Sequence, residues 1–247
     1  MIEFHLFYFM VMFIAFLTGL FKEFILFTSI IFIHEKGHTI ADMYYKWNID
    51  KVIIMPFGGI TIFNEKLNRP IKEEFIILIS GPIFQIIYYK IFSMFCISYT
   101  FMNYHYSLLF FNLLPIYPLD GAKLLNLFFN KILPFKKSHL LILIVSFLVS
   151  ILAILYIIVN KLGLVLFLVV LLLLFKLFEE KSKHNLLFNK FLLERYLCSF
   201  NFKKHKIIRG DNIEKMFRVY EHIFLSDKKY ETEREILRKR FDKHRRL

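Results

Sequence analysis

The segment IFIHEKGHTI, residues 31–40, places two histidines, a glutamate and a lysine inside a long apolar stretch. His34 and His38 are four residues apart, so on a helix they lie on one face, one turn apart. That spacing allows two imidazoles to bind a single zinc ion. In an H-E-x-x-H helix the neighbouring carboxylate, here Glu35, is the general base rather than a ligand. The pattern predicts a zinc-dependent hydrolytic site.

The same short pattern also arises by chance, so the surrounding sequence must be used to judge whether it marks a metal site. A charged side chain at the centre of a membrane-spanning helix costs about 2.5 to 3.5 kcal/mol, so Glu35 and Lys36 oppose insertion unless they have partners or water. Such a cost indicates a functional reason for these side chains. Lys36 lies about 200° around the helix from both histidines and is expected to point away from the metal. Gly37 would allow another backbone to approach closely.

A third ligand is needed, because catalytic zinc usually has three protein ligands and keeps the fourth position for water. The stretch FNLLPIYPLDGAKLL, residues 111–125, places Asp120 in another apolar segment beside Pro115, Pro118 and Gly121. Prolines weaken a helix and leave carbonyl groups unpaired, which makes room for a water-containing cavity into which the carboxylate can turn. Asp120 is the candidate third ligand. The alternative is that it caps a helix over residues 121–130.

Together these segments resemble the site-2 protease family of intramembrane zinc metalloproteases. The resemblance covers about residues 20–130 and rests on the H-E-x-x-H helix, the N-x-x-P-x-x-P-L-D-G stretch from Asn112, the PFGG loop and the SGPIFQ element at 80–85. Two motifs in the family's order, each in its own apolar segment, are far more specific than either alone. Three positions depart from the family pattern without removing a ligand: Lys36, usually apolar; Gln85, commonly Asn; and Ala122, frequently Gly.

The resemblance implies a zinc ion held by His34, His38 and Asp120, with Glu35 moving the proton. It also implies that Asn112 contacts the substrate or a neighbour of the metal site, although a helix-packing hydrogen bond is the alternative. Size and tail are most similar to the bacterial sporulation subgroup, which cleaves a membrane-tethered sigma-factor precursor. The partners implied are a membrane-tethered protein substrate, the lipid bilayer and possible membrane inhibitors or regulators.

The composition indicates a membrane protein. Of 247 residues 57% are hydrophobic, and the mean hydropathy is +0.53, which is too apolar for an ordinary soluble domain. About 20 apolar residues are needed to cross a bilayer as a helix. We therefore predict an all-α polytopic fold with a membrane domain over residues 1–180 and a basic helical cytoplasmic tail over 181–247. Six spans are predicted, at about 6–20, 24–44, 72–98, 103–130, 139–159 and 162–178.

The distribution of Lys and Arg predicts the orientation in the cell membrane, because basic residues of short connections stay in the cytoplasm. The connections between spans two and three and between spans four and five are basic, and residues 179–247 hold 19 Lys or Arg against 11 Asp or Glu. Both termini are therefore expected in the cytoplasm.

Between spans two and three, the segment KVIIMPFGGITIF, residues 51–63, predicts a membrane-associated β-hairpin. Two β-branched and aromatic runs flank Pro56 and the Gly58–Gly59 pair, which are typical turn residues. A helical substrate must unwind before its scissile carbonyl can be reached, and this hairpin could receive it as an added strand. Gly58 and Gly59 would then grant close approach, which makes them candidate substrate-binding residues.

The tail from residue 182 mixes apolar and charged residues, which favours two to four amphipathic helices lying on anionic lipid. Nucleic-acid binding is not expected, because the tail lacks a docking motif and is rich in acids. Cys96 and Cys198 suggest neither a disulfide framework nor a metal site. The remaining histidines are expected to be interfacial or solvated: His5, His105, His139, His184, His205, His222 and His244.

Two other functions remain compatible with these residues. A membrane metal transporter or sensor would use the same ligands but would not need Glu35, so Glu35→Gln should leave its function intact. A catalytically silent scaffold that only retains a membrane partner would also tolerate His34→Ala. We favour an intramembrane zinc metalloprotease.

Overall fold

The computed structural model describes residues 2–4, 6–47, 49–55, 58–63, 67–95, 98–161, 163–202, 204–226 and 229–242. Helices dominate these residues, as expected, and a small sheet accompanies them. Two of the described helices are long and apolar enough to cross a membrane, Ile71–Phe95 and Phe135–Val159, and a shorter apolar helix covers Tyr8–Leu17. The six-span topology stays a prediction. The chain divides into two units, residues 1–65 with 72–113 and residues 66–71 with 114–247.

The described part of the first unit combines helices with a small sheet. The helices are α1 (Leu6–Leu17), α2 (Phe21–Tyr44), α3 (Ile71–Phe95) and α4 (Tyr99–Asn112). The strands are β1 (Ile2–Phe4), β2 (Ile49–Met55) and β3 (Gly58–Phe63). β1 pairs with β2 in parallel and β3 pairs with β2 in antiparallel orientation. The core packs Ile30 and Ile31 of α2 against Phe101 and Leu108 of α4.

The predicted hairpin is present as β2 and β3, but it belongs to a three-stranded sheet. β1 was not predicted, because three residues in front of an apolar helix show too little periodicity to indicate a strand. Gly58 and Gly59, expected in the turn, are the first residues of β3, opposite Met55 and Ile54. Pro56 lies outside the described residues.

Helix α2 ends where the backbone leaves the right-handed region. Lys46 has a φ of 54°, a left-handed conformation that cannot continue an α-helix. Directly afterwards, Trp47 donates its indole N–H to Glu73 in the first turn of α3, at 3.1 Å. This contact joins the end of α2 to the beginning of α3, the helix that packs against the H-E-x-x-H motif.

The described part of the second unit contains the remaining elements. Its helices are α5 (Asp120–Ile132), α6 (Phe135–Val159), α7 (Leu164–Leu197) and α8 (Glu233–Phe241). Strands β4 (His205–Arg209), β5 (Glu221–Ser226) and β6 (Lys229–Thr232) form a sheet in the order β4-β5-β6. The break predicted near residues 160–163 is confirmed, since α6 ends at Val159 and α7 begins at Leu164 after the positive φ of Lys161 and Gly163.

The segment predicted as a span over 103–130 is not one continuous helix. α4 ends at Asn112 and α5 begins at Asp120, and turns and bends occupy most of the residues between them. Pro115 and Pro118 lack a backbone N–H, so a helix cannot run through this segment undisturbed. The Tyr117–Pro118 peptide bond is cis. Asn112 and Asp120 therefore belong to different helices, rather than lying two turns apart on one helix.

The all-helical tail is wrong beyond Leu197, where residues 205–232 contain β4, β5 and β6. The sheet and α8 complete a hydrophobic core with the C-terminal part of α7. Its most buried members include Phe191 and Leu192 of α7, Phe224 of β5 and Leu237 of α8. The tail residues thus form a small folded body rather than separate amphipathic helices.

A buried arginine joins several segments of the second unit. Arg195 donates a hydrogen bond to the Asn68 side chain and pairs with Glu233 at 3.2 Å. Burial lowers the pKa of the Arg195 guanidinium to about 10, although Glu233 opposes that shift. Burial also lowers the pKa of His222, whose Nδ1 lies 3.0 Å from a Glu233 carboxylate oxygen.

The expectation of interfacial or solvated histidines is only partly right. His205 is exposed, whereas His105, His139 and His222 are buried, because each has a polar or aromatic partner inside the protein. His5, His244 and Cys96 lie outside the described residues. Cys198 is a half-buried free thiol.

Candidate metal centre

Helix α2 presents the H-E-x-x-H residues on a buried face. His34 and His38 are 1% and 6% exposed, and Glu35 is 8% exposed. The planes of the two imidazole rings are nearly perpendicular, and the ring centroids are 4.9 Å apart. The helical spacing predicted from the sequence is therefore confirmed, and it brings the two rings and the carboxylate into one turn of helix.

The outer nitrogen of each imidazole is bound to α3. His38 Nδ1 lies 2.8 Å from the backbone carbonyl oxygen of Ile77, and His34 Nδ1 lies 2.9 Å from Gln85 Oε1. A carbonyl oxygen can only accept a hydrogen bond, so His38 carries a proton on Nδ1, and the neutral ring then holds its lone pair on Nε2. Metal-binding histidines commonly donate their second N–H to such an outer partner, which fixes the tautomer and the ring orientation.

The two inner nitrogens have the separation that a shared metal ion requires. His34 Nε2 and His38 Nε2 are 3.2 Å apart. Two imidazole nitrogens on a tetrahedral zinc, each about 2.0–2.1 Å from the ion, lie about 3.3 Å from each other. Both the donor chemistry and the spacing therefore fit zinc.

Glycines allow α3 to approach the motif closely. A methyl group at Gly37 would lie 2.7 Å from the carbonyl oxygen of Ser80, and one at Gly81 would clash with the ring of His38. Ser80 also donates its hydroxyl to the Gly37 carbonyl at 2.9 Å. Close backbone approach at Gly37, expected from the sequence, is confirmed, and it is what brings the α3 acceptors within reach of the imidazoles.

Two further residues singled out from the sequence have contacts on α2. Asn112, the last residue of α4, has its side-chain nitrogen 3.4 Å from His34 Nε2, one of the two inner imidazole nitrogens. Lys36 lies on the exposed face of α2, with its Nζ 4.5 Å from the centre of the Phe32 ring. This cation–π contact gives the lysine charge an aromatic neighbour on that face.

Asp120 belongs to the second unit and is the first residue of α5. It is 8% exposed, and its carboxylate lies 3.5 Å from the ammonium group of the partly exposed Lys123. Leu119, and not Asp120, occupies the N-cap position of α5. A carboxylate at a helix N-terminus is stabilised by the helix dipole. Its role as third ligand stays a prediction.

Known proteins share this architecture. The model of peptidase family M50 matches residues 22–106. Stage IV sporulation protein FB of Bacillus subtilis is 37% identical over 215 residues, which cover 79% of this chain and 71% of that protein. The chain belongs to the M50 family, the site-2 proteases. This M50 peptidase is also 30% identical, over 125 residues, to a zinc metalloprotease of Methanocaldococcus jannaschii, covering 46% of the chain and 36% of that protein.

A solved structure agrees with this assignment. The site-2 protease from Methanocaldococcus jannaschii superposes with a TM-score of 0.56 at 25% identity, covering 72% of this chain and 89% of that one. The M50 peptidase described here is accordingly a membrane-embedded, zinc-dependent metalloendopeptidase. The family resemblance derived from the motifs is confirmed.

Sequence reasoning missed the partners of this M50 site. Gln85 was noted only as a departure from the family pattern, and His105 was expected at an interface. Both are buried, and Gln85 contacts both His34 and His105. One signal was available, because a glutamine and a histidine inside apolar helices need partners in the protein interior.

Proposed function

We propose that this M50 peptidase cleaves a membrane-tethered sigma-factor precursor within or near the bilayer. The observation that carries the proposal is the imidazole pair of α2, whose inner nitrogens are 3.2 Å apart while their outer nitrogens are bound to α3. The similarity to a sporulation protein over 79% of the chain supports the class of substrate. Membrane inhibitors or regulators of the enzyme are part of the same proposal.

The proposed zinc ligands are His34, His38 and Asp120. The tautomer of His38 and the burial of all three side chains support this set. Zinc held there would lower the pKa of a bound water toward 7 and polarise the scissile carbonyl. Three protein ligands leave one tetrahedral position for that chemistry.

Glu35 is the proposed general base and acid. Its carboxylate takes a proton from the water that attacks the carbonyl carbon, and it returns the proton to the leaving amine nitrogen as the C–N bond breaks. Burial at 8% exposure separates this proton transfer from bulk solvent. Asn112, next to His34, is the proposed contact to the substrate backbone.

The membrane topology is also a proposal. Six spans with both termini in the cytoplasm agree with the basic connections and tail, since basic residues of short loops remain on that side. The predicted membrane domain ends near residue 180, within α7, and the remaining residues lead into the small folded body around β4–β6.

Strand β3 is the proposed docking strand for the unwound substrate. In the sheet order β1-β2-β3 it has one neighbouring strand among the described residues, so its other edge can pair with an extended peptide. Main-chain pairing is tolerant of substrate sequence and presents the scissile carbonyl in an extended conformation. Gly58 and Gly59 begin this strand and add no side chain that would hold the peptide away.

Replacing Gly58 and Gly59 by Val is expected to slow cleavage about 10- to 100-fold, because losing two main-chain hydrogen bonds of about 0.5–1.5 kcal/mol each weakens transition-state binding. Cleavage rate and zinc content of the purified variant are to be measured together. Zinc should remain at the wild-type level. Thr61→Val, in the same strand, is the control and should cleave normally. Unchanged cleavage in the glycine variant would remove β3 from the proposal.

The substrate class is tested by co-expression with candidate membrane-tethered sigma-factor precursors. Wild-type enzyme should shorten one of them, whereas Glu35→Gln and Asp120→Asn should leave it intact. If wild type and the Glu35 variant process all the precursors to the same extent, the proposal is wrong. Cleavage of an unrelated membrane-tethered protein instead would keep the enzyme assignment and reject the sigma-factor substrate.

A further inference from the structure

Gln85 occupies a fully buried position between two helices. Its side chain is 0% exposed, and it reaches from α3 to His34 on α2 and to His105 on α4. A buried primary amide needs partners for both its oxygen and its nitrogen, and an amide with one of these groups unsatisfied is costly. The two contacts together therefore determine how the amide is oriented.

The orientation of the amide follows from the His105 backbone. Gln85 Nε2 lies 2.9 Å from the His105 carbonyl oxygen, which can only accept a hydrogen bond. A flipped amide would place two acceptor oxygens against each other. The nitrogen must therefore face His105, and the oxygen must face His34 Nδ1, at 2.9 Å.

The orientation of the amide in turn decides the tautomer of His34. Because Gln85 Oε1 can only accept, His34 Nδ1 must carry a proton and donate it. A neutral imidazole with its proton on Nδ1 holds a lone pair on Nε2, the nitrogen that faces His38 Nε2. The Asn112 side-chain nitrogen, 3.4 Å from His34 Nε2, is a donor directed at the same lone pair.

His105, which ends the hydrogen-bonded connection from His34 through Gln85, is itself held in place by its neighbours. His105 is 2% exposed, and its ring stacks on Tyr89 of α3 with a centroid distance of 4.3 Å and an interplanar angle of 15°. Its Nδ1 lies 3.5 Å from Gln85 Nε2 and offers a second, weaker acceptor. The α4 backbone is thus a rigid support for the amide.

We propose that Gln85 is a positioning residue that prepares His34 for zinc by fixing its tautomer through the backbone carbonyl of His105. The inference rests on the proposed zinc site. His38 receives the same preparation from the Ile77 carbonyl, which no side-chain substitution can remove. Gln85 is therefore the residue whose mutation can test whether fixing the imidazole tautomer promotes zinc binding.

The test measures zinc affinity by chelator competition on the purified full-length protein in detergent. Gln85→Met has a similar length but no acceptor, and it should weaken zinc binding about 10- to 100-fold, the usual effect of losing an outer partner of a metal ligand.

A matched control separates positioning from packing. Tyr88→Phe removes a 3.0 Å hydrogen bond from α3 to Ser29 of α2 without touching an imidazole, and zinc affinity should be unchanged. The absorption spectrum of the cobalt-substituted protein should change in Gln85→Met but not in Tyr88→Phe. Where the Met variant yields no folded protein, Gln85→Asn replaces it, since an amide one methylene shorter cannot reach both partners.

Zinc affinity of Gln85→Met equal to that of Tyr88→Phe would overturn the inference. His34→Ala in the same assay distinguishes a failure of the positioning role of Gln85 from a failure of the proposed zinc site. If that variant loses zinc while Gln85→Met does not, the positioning role fails and the zinc site stands. If His34→Ala retains zinc, the proposed zinc site itself is wrong.

Discussion

Glu35→Gln is expected to lower peptide cleavage about 100- to 10,000-fold, the usual contribution of a general base, while zinc stays bound. Glutamine has nearly the same shape as glutamate but cannot take up a proton at neutral pH. Since Glu35 is assigned to proton transfer and not to metal binding, its loss should leave the zinc content at the wild-type level. Cleavage of a co-expressed membrane-tethered precursor and zinc per purified chain are the two measurements.

Lys36→Gln is the matched control for that experiment. It removes a charge from the adjacent position of α2, but on the exposed face, where Lys36 contacts Phe32. Cleavage by this variant should remain near the wild-type rate. Wild-type cleavage by Glu35→Gln would contradict the assigned proton transfer and would favour a transporter or sensor that uses the ligands alone. Loss of zinc from that variant would show that Glu35 binds the metal instead.

His38→Ala is expected to abolish both zinc binding and cleavage. The loss of zinc affinity should be larger than the loss of about 10- to 100-fold expected when an outer partner of a ligand is removed. The reason is that His38→Ala removes a metal ligand itself. Zinc per chain after dialysis against a weak chelator measures the effect. His184→Gln is the control, since it removes a partly buried imidazole that contacts His139 in the second unit.

Retention of one tightly bound zinc in His38→Ala would contradict the pairing of the two imidazoles. The apo protein of each variant should also be compared by thermal unfolding, because His38 donates to the Ile77 carbonyl and its removal leaves that buried acceptor without this donor. Loss of zinc with an unchanged unfolding temperature assigns the effect to the metal site alone.

The chemistry of α2 could be predicted from sequence because it depends on local geometry. Residues four apart on a helix share a face whatever the rest of the fold does, so His34 and His38 were placed correctly. The helix expected to carry the motif, over about 24–44, is α2, which runs Phe21–Tyr44. The break before Gly163 was equally local, since a positive φ favours glycine.

The elements that were missed depend on contacts distant in sequence. β4 and β5 are parallel neighbours, and the segments HKIIR and EHIFLS mix apolar and charged residues with no clear helical or strand period. Apolar composition continues through residues 113–119, so counting hydrophobic residues did not reveal the end of α4 there. The contacts of Gln85 could not be predicted either, because they require α2, α3 and α4 to be packed together.

The most direct test of the account is X-ray absorption at the zinc edge for Asp120→Cys. A cysteine that replaces a zinc ligand supplies a thiolate at about 2.3 Å, which is readily distinguished from nitrogen and oxygen at about 2.0–2.2 Å. The wild-type protein, with its own two cysteines, gives the baseline. We expect imidazole ligands without sulfur in wild type, and imidazole ligands with one sulfur in the variant. Zinc bound in the variant with no sulfur neighbour would show that residue 120 is not a ligand.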